Sequence, residues 1–398
     1  MALDFAYPIV DASLFWHQGR PAGASTLPMA LVAASGATPA YFPVGANSRL
    51  KCSSAATEVE IGYVSTTNAN NRVGVLHSGR VWPAGTANAG VGRLRFTLPQ
   101  GVKSFELVTP YQHAAGRYSA GQGTPFGVWI TEVRANAAIT FAAPPNPTSY
   151  TRRIVVLADS IGGAYGRYQA LQGWIGIGQN GLHIKSLTSA QGYKGAYNAG
   201  TAYALGDWVL FNGRIERSLA AQTGASPASS PSTWTVDGID GLVTAYRSWG
   251  SKTIEDDWDT APKRAEHAAF IAAFAPTVVM PALGSNDYAL PSVPTRASVL
   301  TNATGMVDAI RSANSAAAQV MPLPILRGAN GVEIANSQSW TLADLRSDLS
   351  GLTSGRAWLD VFGGASAIPV GKLADFTHPT TIGQRDLGDL YWRRAVNS

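Results

Sequence analysis

A serine that follows a short apolar run is the first residue whose position suits covalent chemistry. Ser160 comes directly after Asp159, at the end of RRIVVLAD (152–159), and Gly162 and Gly163 follow it. A serine at a turn between a strand and a helix has an exposed hydroxyl, which suits a nucleophile. Two other interpretations stay open: an ordinary helix N-cap, or a phosphate-binding loop, although the glycine spacing is not G-x-G-x-x-G and no acidic residue ends the next predicted strand.

Two further segments supply an amide donor and a carboxylate–histidine pair. Asn286, in GSND (284–287), is either a turn residue bonded to its own backbone or a side chain that donates to a developing oxyanion. Asp375 and His378, in DFTHP, are three residues apart. The carboxylate can therefore hold one ring nitrogen while the other faces outward; the alternative is an Asx turn beside a surface histidine. Because all these segments follow predicted strands, the combination favours one shared site.

The elements that must position these residues are predicted from apolar runs in the second part of the chain. Such β-branched runs, typical of strands buried on both faces of a parallel sheet, occupy 152–159, 242–249, 276–283, 318–326 and 356–362. Helical stretches lie between them. One is 261–274, which has Pro near its start; we predict its buried stripe at Ala265, Ala268, Ala269 and Ala272. Strands that alternate with helices indicate a parallel α/β sheet, whose ligands bind beyond the carboxyl ends of the strands.

Residues before about Pro147 follow a different pattern. Apolar and polar residues alternate in EVEIGYV, RLRFTL and PFGVWITEV, which predicts antiparallel strands in a β-sandwich or jelly roll. The proline-rich segment AAPPNPTSY (142–150) suits a linker, so we predict a β domain over 1–148 and an α/β domain over 149–398. Within the second domain, residues 196–238 are dense in aromatic, Gly, Ser and Pro residues and predict a small inserted β module.

Together, these segments resemble the SGNH, or GDSL-type, hydrolase superfamily. The first block of that superfamily, Gly-Asp-Ser, matches ADS (158–160), with Ala158 in place of the usual Gly. The second, a Gly before a Thr, is loosely matched by WGSKT (249–253). The third, Gly-x-Asn-Asp, is GSND (284–287), and the fifth, Asp-x-x-His-Pro, is DFTHP (375–379). Four blocks in the right order are far more specific than any one of them.

The resemblance covers about 149–195 and 239–398, and it implies a flavodoxin-like five-stranded parallel sheet and acyl transfer to water. In that chemistry His378 takes the proton of Ser160 as the hydroxyl attacks an ester carbonyl, and Asp375 fixes the imidazole tautomer.

The resemblance also implies an oxyanion hole. Its donors are the backbone N–H groups of Ser160 and Gly250 and the side-chain amide of Asn286. Asp159 and Asp287 are expected to bond loop backbone. The chemistry requires no metal and no organic cofactor.

The insertion resembles small chitin- and cellulose-binding modules. Its matching residues are Tyr203, Gly206, Asp207, Trp208, Val209, Phe211, Gly213, Pro227, Pro231 and Trp234, with Ile215 in place of a second tyrosine. Aromatic rings stack on sugar faces, but they also form the core of a small domain. We expect Trp234 and Phe211 in the core, and we leave Tyr203 and Trp208 open as candidate carbohydrate-binding residues.

Composition excludes several classes of protein. Among 398 residues, 45% are hydrophobic and only 14% are charged, so the chain folds rather than remaining disordered. The formal charge of +5 is scattered and forms no basic run, which argues against nucleic acid. The single Cys52 excludes an intramolecular disulfide framework and a cysteine-cluster metal site. No segment has the roughly 18 apolar residues of a membrane span, and the first residues do not form a signal peptide.

The sequence therefore predicts a serine esterase that removes O-acetyl groups from a polysaccharide. A β domain before such a hydrolase is similar to the layout of some carbohydrate esterases, and no long apolar lid helix is evident. The alternatives are a general short-chain esterase or lysophospholipase, and a carbohydrate-binding phage-tail or surface protein with an inactive hydrolase domain. The expected partner is an acetylated polysaccharide or a small ester. A polymer substrate places the expected location outside the cell or on a virion. The sequence does not indicate an oligomeric state.

Overall fold

The computed structural model describes the chain in nineteen stretches. They are residues 3–9, 49–65, 72–77, 80–108, 113–114, 125–126, 128–142, 150, 152–159, 161, 173–179, 184–185, 192–212, 214–245, 253–289, 293–324, 335–363, 373–375 and 378–397. Most of the predicted linker at 142–150 lies outside these residues.

The N-terminal part consists of strands, as the alternation of apolar residues predicts. They are β1 (Phe5–Pro8), β2 (Arg49–Ser54), β3 (Glu58–Ser65), β4 (Arg72–His77), β5 (Arg80–Thr86), β6 (Gly90–Thr97), β7 (Lys103–Val108), β8 (His113–Ala114), β9 (Pro125–Phe126), β10 (Val128–Ala135) and β11 (Ile139–Ala142). Two larger antiparallel sheets form, in the orders β1-β10-β3-β6 and β11-β2-β7-β4-β5, and β8 pairs with β9 in a separate two-stranded sheet.

Both N-terminal sheets contribute to one hydrophobic core. Val59 and Ile61 of β3 and Leu50 of β2 are fully buried in it, and so is Leu107 of β7. On β3 the alternate residues Glu58 and Glu60 pair with arginines of β6 at the surface. This inward–outward alternation is the physical basis of a one-sided antiparallel sheet. Assignment of the jelly-roll connectivity stays a prediction.

The second part alternates strands and helices. Its elements are β12 (Arg152–Ala158), α1 (Trp174–Gln179), β13 (Ile184–Lys185), β14 (Tyr193–Ala196), β15 (Ala202–Tyr203), β16 (Trp208–Phe211), β17 (Arg214–Ser218), β18 (Gln222–Thr223), β19 (Trp234–Ala245), α2 (Ile254–Trp258), α3 (Ala261–Phe274), β20 (Val278–Ala282), α4 (Ser285–Ala289), α5 (Arg296–Ala313), β21 (Ala318–Pro322), α6 (Leu342–Gly351), β22 (Leu359–Phe362), β23 (Leu373–Asp375), β24 (His378–Pro379) and α7 (Thr381–Asn397).

Five of these strands are parallel neighbours in the order β19-β12-β20-β21-β22. Numbered along the chain, this is the order 2-1-3-4-5 of flavodoxin-like folds, so the predicted five-stranded parallel sheet is confirmed. Helices α2, α3, α5 and α6 pack on one face of the sheet. Helices α1 and α7 pack on the other face. Burial on both sides explains why β12 is apolar at every position from Ile154 to Ala158.

Helix α3 has the predicted bounds, but the predicted buried stripe of alanines is wrong. The buried side chains are His267, Phe270, Ile271 and Phe274. Ala265, Ala269 and Ala272 are exposed and Ala268 is only half-buried. The large side chains remove far more apolar surface from water than alanine methyl groups do, so they determine which side of the helix faces the sheet.

The inserted β segment is continuous with the parallel sheet. Strands β14, β16 and β17 extend that sheet beyond β19, and β13 also pairs with β19. The first half of β19 pairs antiparallel with β17, and its second half pairs parallel with β12. Strand β14 begins at Tyr193 and β19 ends at Ala245, so both strands cross the predicted bounds of 196–238.

Candidate active site

The turn after β12 is held by an aspartate. Asp159 is buried, and its Oδ1 accepts the backbone N–H of Ile161 at 2.9 Å. An aspartate that bonds the backbone two residues ahead closes an Asx turn, which agrees with the role expected for this residue. Ser160, the residue between Asp159 and Ile161 in the sequence, lies outside the described residues, as does the segment 162–172.

The segment after β20 turns on a glycine. Gly284 has a φ of 113°, a conformation that side-chain-bearing residues rarely adopt. A Cβ atom there would also lie 2.7 Å from Cγ of Pro324. Helix α4 starts directly afterwards, so Asn286 is in its first turn, half-buried. This explains why the block begins with glycine, and it leaves Asn286 partly open at the carboxyl edge of the sheet.

Asp287 ties this segment to the helix that follows the second block. Its two carboxylate oxygens accept the backbone N–H groups of Ile254 at 2.9 Å and Glu255 at 2.8 Å, at the start of α2. The side chain is fully buried. Burial raises the pKa of Asp287 to about 7, and these backbone donors only partly oppose that effect. Gly250 lies outside the described residues, but the described chain resumes at Thr253, directly before α2.

Asp375 and His378 lie in a tight hairpin. Strands β23 and β24 are antiparallel, and these two residues are partners in the register. Helix α7 begins three residues after His378. The structure describes the backbone of this hairpin and not the two side chains, so the hydrogen bond between carboxylate and imidazole stays a prediction.

Gln384 joins α7 to the turn that contains the predicted nucleophile, and the sequence analysis did not identify it. Its Nε2 donates to the carbonyl of Ile161 at 3.0 Å, and its Oε1 accepts the N–H of Trp174 at 3.0 Å. The side chain is fully buried. Gln384 precedes the buried residues Leu387 and Tyr391 by three and seven positions. A glutamine within an apolar helical stripe was therefore the available signal.

A small cavity of about 20 Å³ lies at this edge of the sheet. That volume is close to the minimum that one water molecule occupies. Its lining includes Asp159 and Ile161, on either side of Ser160, and Leu283, next to Gly284. Trp174 of α1, Tyr391 of α7 and Leu323 also line it. Burial and the nearby Asp159 raise the pKa of Tyr391 above its ordinary value, so the hydroxyl group of this lining residue stays protonated.

The two candidate sugar-binding residues of the insertion have different surroundings. Tyr203 is only 2% exposed, and its ring packs with Trp234 and Tyr197 in the core of the insertion. Its hydroxyl donates to the carbonyl of Asn198. Tyr203 is therefore a core residue, as is Trp234. Trp208 is half-buried, and it remains the candidate with an accessible surface.

Within the described stretches, no group of three or more His, Cys, Asp or Glu side chains is placed to hold a metal ion. Cys52 is a buried free thiol, and burial raises its pKa. Among the helices that the structure describes, none has the length and hydropathy needed to cross a bilayer.

Comparison with known proteins establishes the fold and not the activity. No protein-family model matches the chain, and no curated protein matches its sequence. Similar solved structures include a salicylyl-acyltransferase from a tetracycline biosynthetic pathway, with a TM-score of 0.60, 13% identity, and coverage of 99% of this chain and 97% of that one. A family two carbohydrate esterase from Cellvibrio japonicus has a TM-score of 0.54, 14% identity, and coverage of 99% and 98%. A putative GDSL-like lipase from Bacteroides ovatus has a TM-score of 0.52, 9% identity, and coverage of 87% and 82%. The chain thus shares its fold with these proteins.

Proposed function

We propose that this protein is a serine esterase that removes O-acetyl groups from a polysaccharide. One observation carries the proposal: residues on either side of Ser160, residues on either side of Gly284 and Tyr391 of α7 line one cavity at the carboxyl edge of one flavodoxin-like sheet. Gln384, in the first turn of α7, also bonds Ile161. Ligands of such sheets bind at that edge. Since the Asp375–His378 hairpin directly precedes α7, the fold is suited to bring the nucleophile, the base and an oxyanion donor to one site.

In the proposed reaction His378 accepts the hydroxyl proton of Ser160 as the serine oxygen bonds to the ester carbonyl carbon. The carbonyl oxygen becomes an oxyanion. When that intermediate collapses, the ester C–O bond breaks and His378 returns the proton to the leaving alcohol. Water then attacks the acyl-serine by the same route and releases the carboxylic acid. Asp375 holds the ring nitrogen that faces away from Ser160.

The oxyanion is held by the side-chain amide of Asn286 and the backbone N–H groups of Ser160 and Gly250. Asp159 and Asp287 act on the oxyanion indirectly, through the backbone. Their carboxylates bond the backbone at Ile161 and at the start of α2. Backbone donors fixed in this way need little reorganisation as charge develops on the substrate, which is the condition for strong electrostatic stabilisation.

The cavity favours a short acyl group. A volume of about 20 Å³, enough for about one water molecule, suits the methyl group of an acetyl ester better than a long alkyl chain. Its apolar lining, with Ile161, Leu283 and Leu323, suits a methyl group. The match in fold to a carbohydrate esterase, over nearly the whole of both chains, and the partly exposed Trp208 support an acetylated polysaccharide as the substrate.

The first test measures acetate release from a set of acetylated polysaccharides by the native protein and by Ser160→Ala. We expect release by the native protein and a loss of at least about 10³-fold in the variant, because the nucleophile is absent. Ser350→Ala, on the exposed face of α6, is the matched control and should retain full activity. Equal release by Ser160→Ala would contradict the mechanism.

A chain-length series separates the proposed substrate from the alternatives. Acetyl through decanoyl esters of one alcohol are compared by kcat/KM. The proposal expects the acetyl ester to be the best substrate. A preference for long chains would favour a lipase-like esterase. Hydrolysis of no ester, together with sedimentation on polysaccharide, would favour a binding protein.

A further inference from the structure

Gln384 makes two contacts that bridge distant parts of the chain. Its amide bonds Ile161, which is 223 residues away, and Trp174, which is 210 residues away. Both partners are backbone groups, and the side chain is fully buried. An unpaired buried polar group costs about 1–3 kcal/mol. The side-chain amide of Gln384, the carbonyl of Ile161 and the N–H of Trp174 therefore all favour this one arrangement.

On the side of the predicted base, Gln384 is fixed by the start of α7. Its backbone N–H donates to the carbonyl of Thr380 at 2.8 Å. The hydroxyl of Thr380 accepts the N–H of Gly383 at 3.3 Å, as an N-cap residue does. Pro379, the residue between His378 and Thr380, is buried. Only five residues, three of them in the first turn of α7, lie between His378 and Gln384.

At the turn next to the predicted nucleophile, the structure describes two side-chain hydrogen bonds, and one of them comes from Gln384. The carbonyl of Ile161 accepts from Gln384, and the N–H of Ile161 donates to Asp159. Ile161 is the residue directly after Ser160. The two bonds fix both polar backbone groups of Ile161, and one of them comes from the helix that carries the His378 hairpin at its start.

We propose that Gln384 is a positioning residue, which keeps the hydroxyl of Ser160 in register with the imidazole of His378 by bonding the turn of one to the helix of the other. This inference rests on the proposed function. Its consequence is kinetic: a displacement of about 1 Å between reacting groups can lower a rate by about 10²-fold. Both described partners of the Gln384 side chain are backbone groups, so substrate binding should change little.

Helix α1 has independent supports, so loss of Gln384 should act mainly on the turn at Ile161. The indole N–H of Trp392 donates to the carbonyl of Trp174 at 2.7 Å. The rings of Trp174 and Trp392 also pack together, with centroids 5.5 Å apart. A Cβ atom at Gly178 would lie 2.0 Å from the ring of Trp392, so α1 and α7 are in close contact there as well.

The test compares Gln384→Met with Gln319→Met on an acetyl ester. Gln319 is also a fully buried glutamine that bonds a backbone carbonyl, that of Val307, but it lies on β21 toward the amino end of the strand. We expect Gln384→Met to lower kcat by about 10- to 100-fold with KM within about twofold. Gln319→Met removes one buried hydrogen bond where Gln384→Met removes two, and it should leave kcat unchanged.

A second variant, Gln384→Glu, tests the hydrogen bonds themselves. A protonated carboxyl group can accept from Trp174 and donate to Ile161, whereas a carboxylate can only accept. The kcat of this variant relative to the native protein should therefore be highest at acid pH and should fall as pH rises. The titratable groups described around the turn, Asp159 and Tyr391, are present in both proteins, so the ratio isolates residue 384.

The outcomes are distinguishable from those of the proposed function. An active native protein whose Gln384→Met variant keeps its kcat, or whose Gln319→Met variant loses as much, overturns the positioning role alone. A ratio for Gln384→Glu that does not change with pH also overturns it. A native protein without esterase activity overturns the proposed function and this inference together.

Discussion

The polar side chains around the cavities at the two edges of the parallel sheet differ, although Gln319 also bonds backbone near the amino edge. At the carboxyl edge, Asp159, Asp287 and Gln384 are buried and bond backbone groups. At the amino edge, Arg394 and Asp360 form an ion pair near the surface, with an Nη2 to Oδ1 distance of 2.7 Å. The cavity at the amino edge is the larger, about 460 Å³ against about 20 Å³.

The proposed site is therefore at the smaller of the two cavities. The guanidinium of Arg311 lies 5.2 Å over the ring of Trp358 in the amino-edge cavity, and solvent-exposed pairs of this kind contribute little to stability. Buried side chains that bond the backbone instead fix the loops on which they act. Backbone groups held in this way suit catalysis, because catalytic donors must be in place before the substrate arrives.

The largest expected effect in this comparison is at Asn286. Asn286→Ala should lower kcat by about 10²–10³-fold, because it removes the proposed donor to the oxyanion. Asn314→Ala is the control, since Asn314 also bonds backbone, donating to the carbonyl of Pro276 at 2.7 Å, but near the amino edge. Steady-state kinetics on an acetyl ester measures both. Similar losses in the two variants would show that the edges do not differ in the way described.

The next effect concerns stability at Asp287. Asp287→Asn leaves one acceptor oxygen for two N–H donors of α2, a cost of about 1–3 kcal/mol. The folded-state pKa of about 7 is above the unfolded value of about 3.9. The contribution of this carboxyl is therefore full below about pH 4 and is lost as pH rises toward 7. Urea unfolding at several pH values should show the difference between native protein and variant shrinking over that range. A difference that grows with pH would contradict the assignment.

The smallest effect is expected at the amino edge. Arg394→Met removes the ion pair with Asp360, whose side chains are 53% and 32% exposed. Exposed pairs contribute at most about 1 kcal/mol, so the melting temperature should change little and kcat should not change. A clear loss of esterase activity would show that the larger cavity takes part in function after all.

Much of the α/β fold could be predicted because its signals are local. Five apolar runs gave the five parallel strands, and α3 has the predicted ends. The buried side of α3 was mispredicted, since counting apolar positions gave Ala269 the same weight as Phe270. The continuity of β19 across the predicted bound at residue 238 was not foreseen, because its two halves differ in composition and only their pairing with β17 and β12 joins them.

The site was predictable only in part, because local sequence patterns indicate only contacts between residues that are close in the chain. Asp159 and Asp287 could be assigned to loop backbone, because a short side chain beside a turn bonds what is close to it. The partners of Gln384 are more than 200 residues away in sequence, so no local pattern specifies them. Only an isolated polar residue in an apolar stripe indicated a special environment. Long-range backbone contacts of this kind require the tertiary structure.

Strand β19 has a mechanical consequence. It is one continuous strand that reaches from Trp234, paired with Ser218, to Ala245, paired with Val156. Because β19 belongs to both the insertion and the parallel sheet, it provides no hinge between them at this side. The insertion therefore cannot move as an independent domain. It should instead melt together with the sheet in one cooperative step. A foreign module could replace it only if its final strand continued into the register that β12 requires.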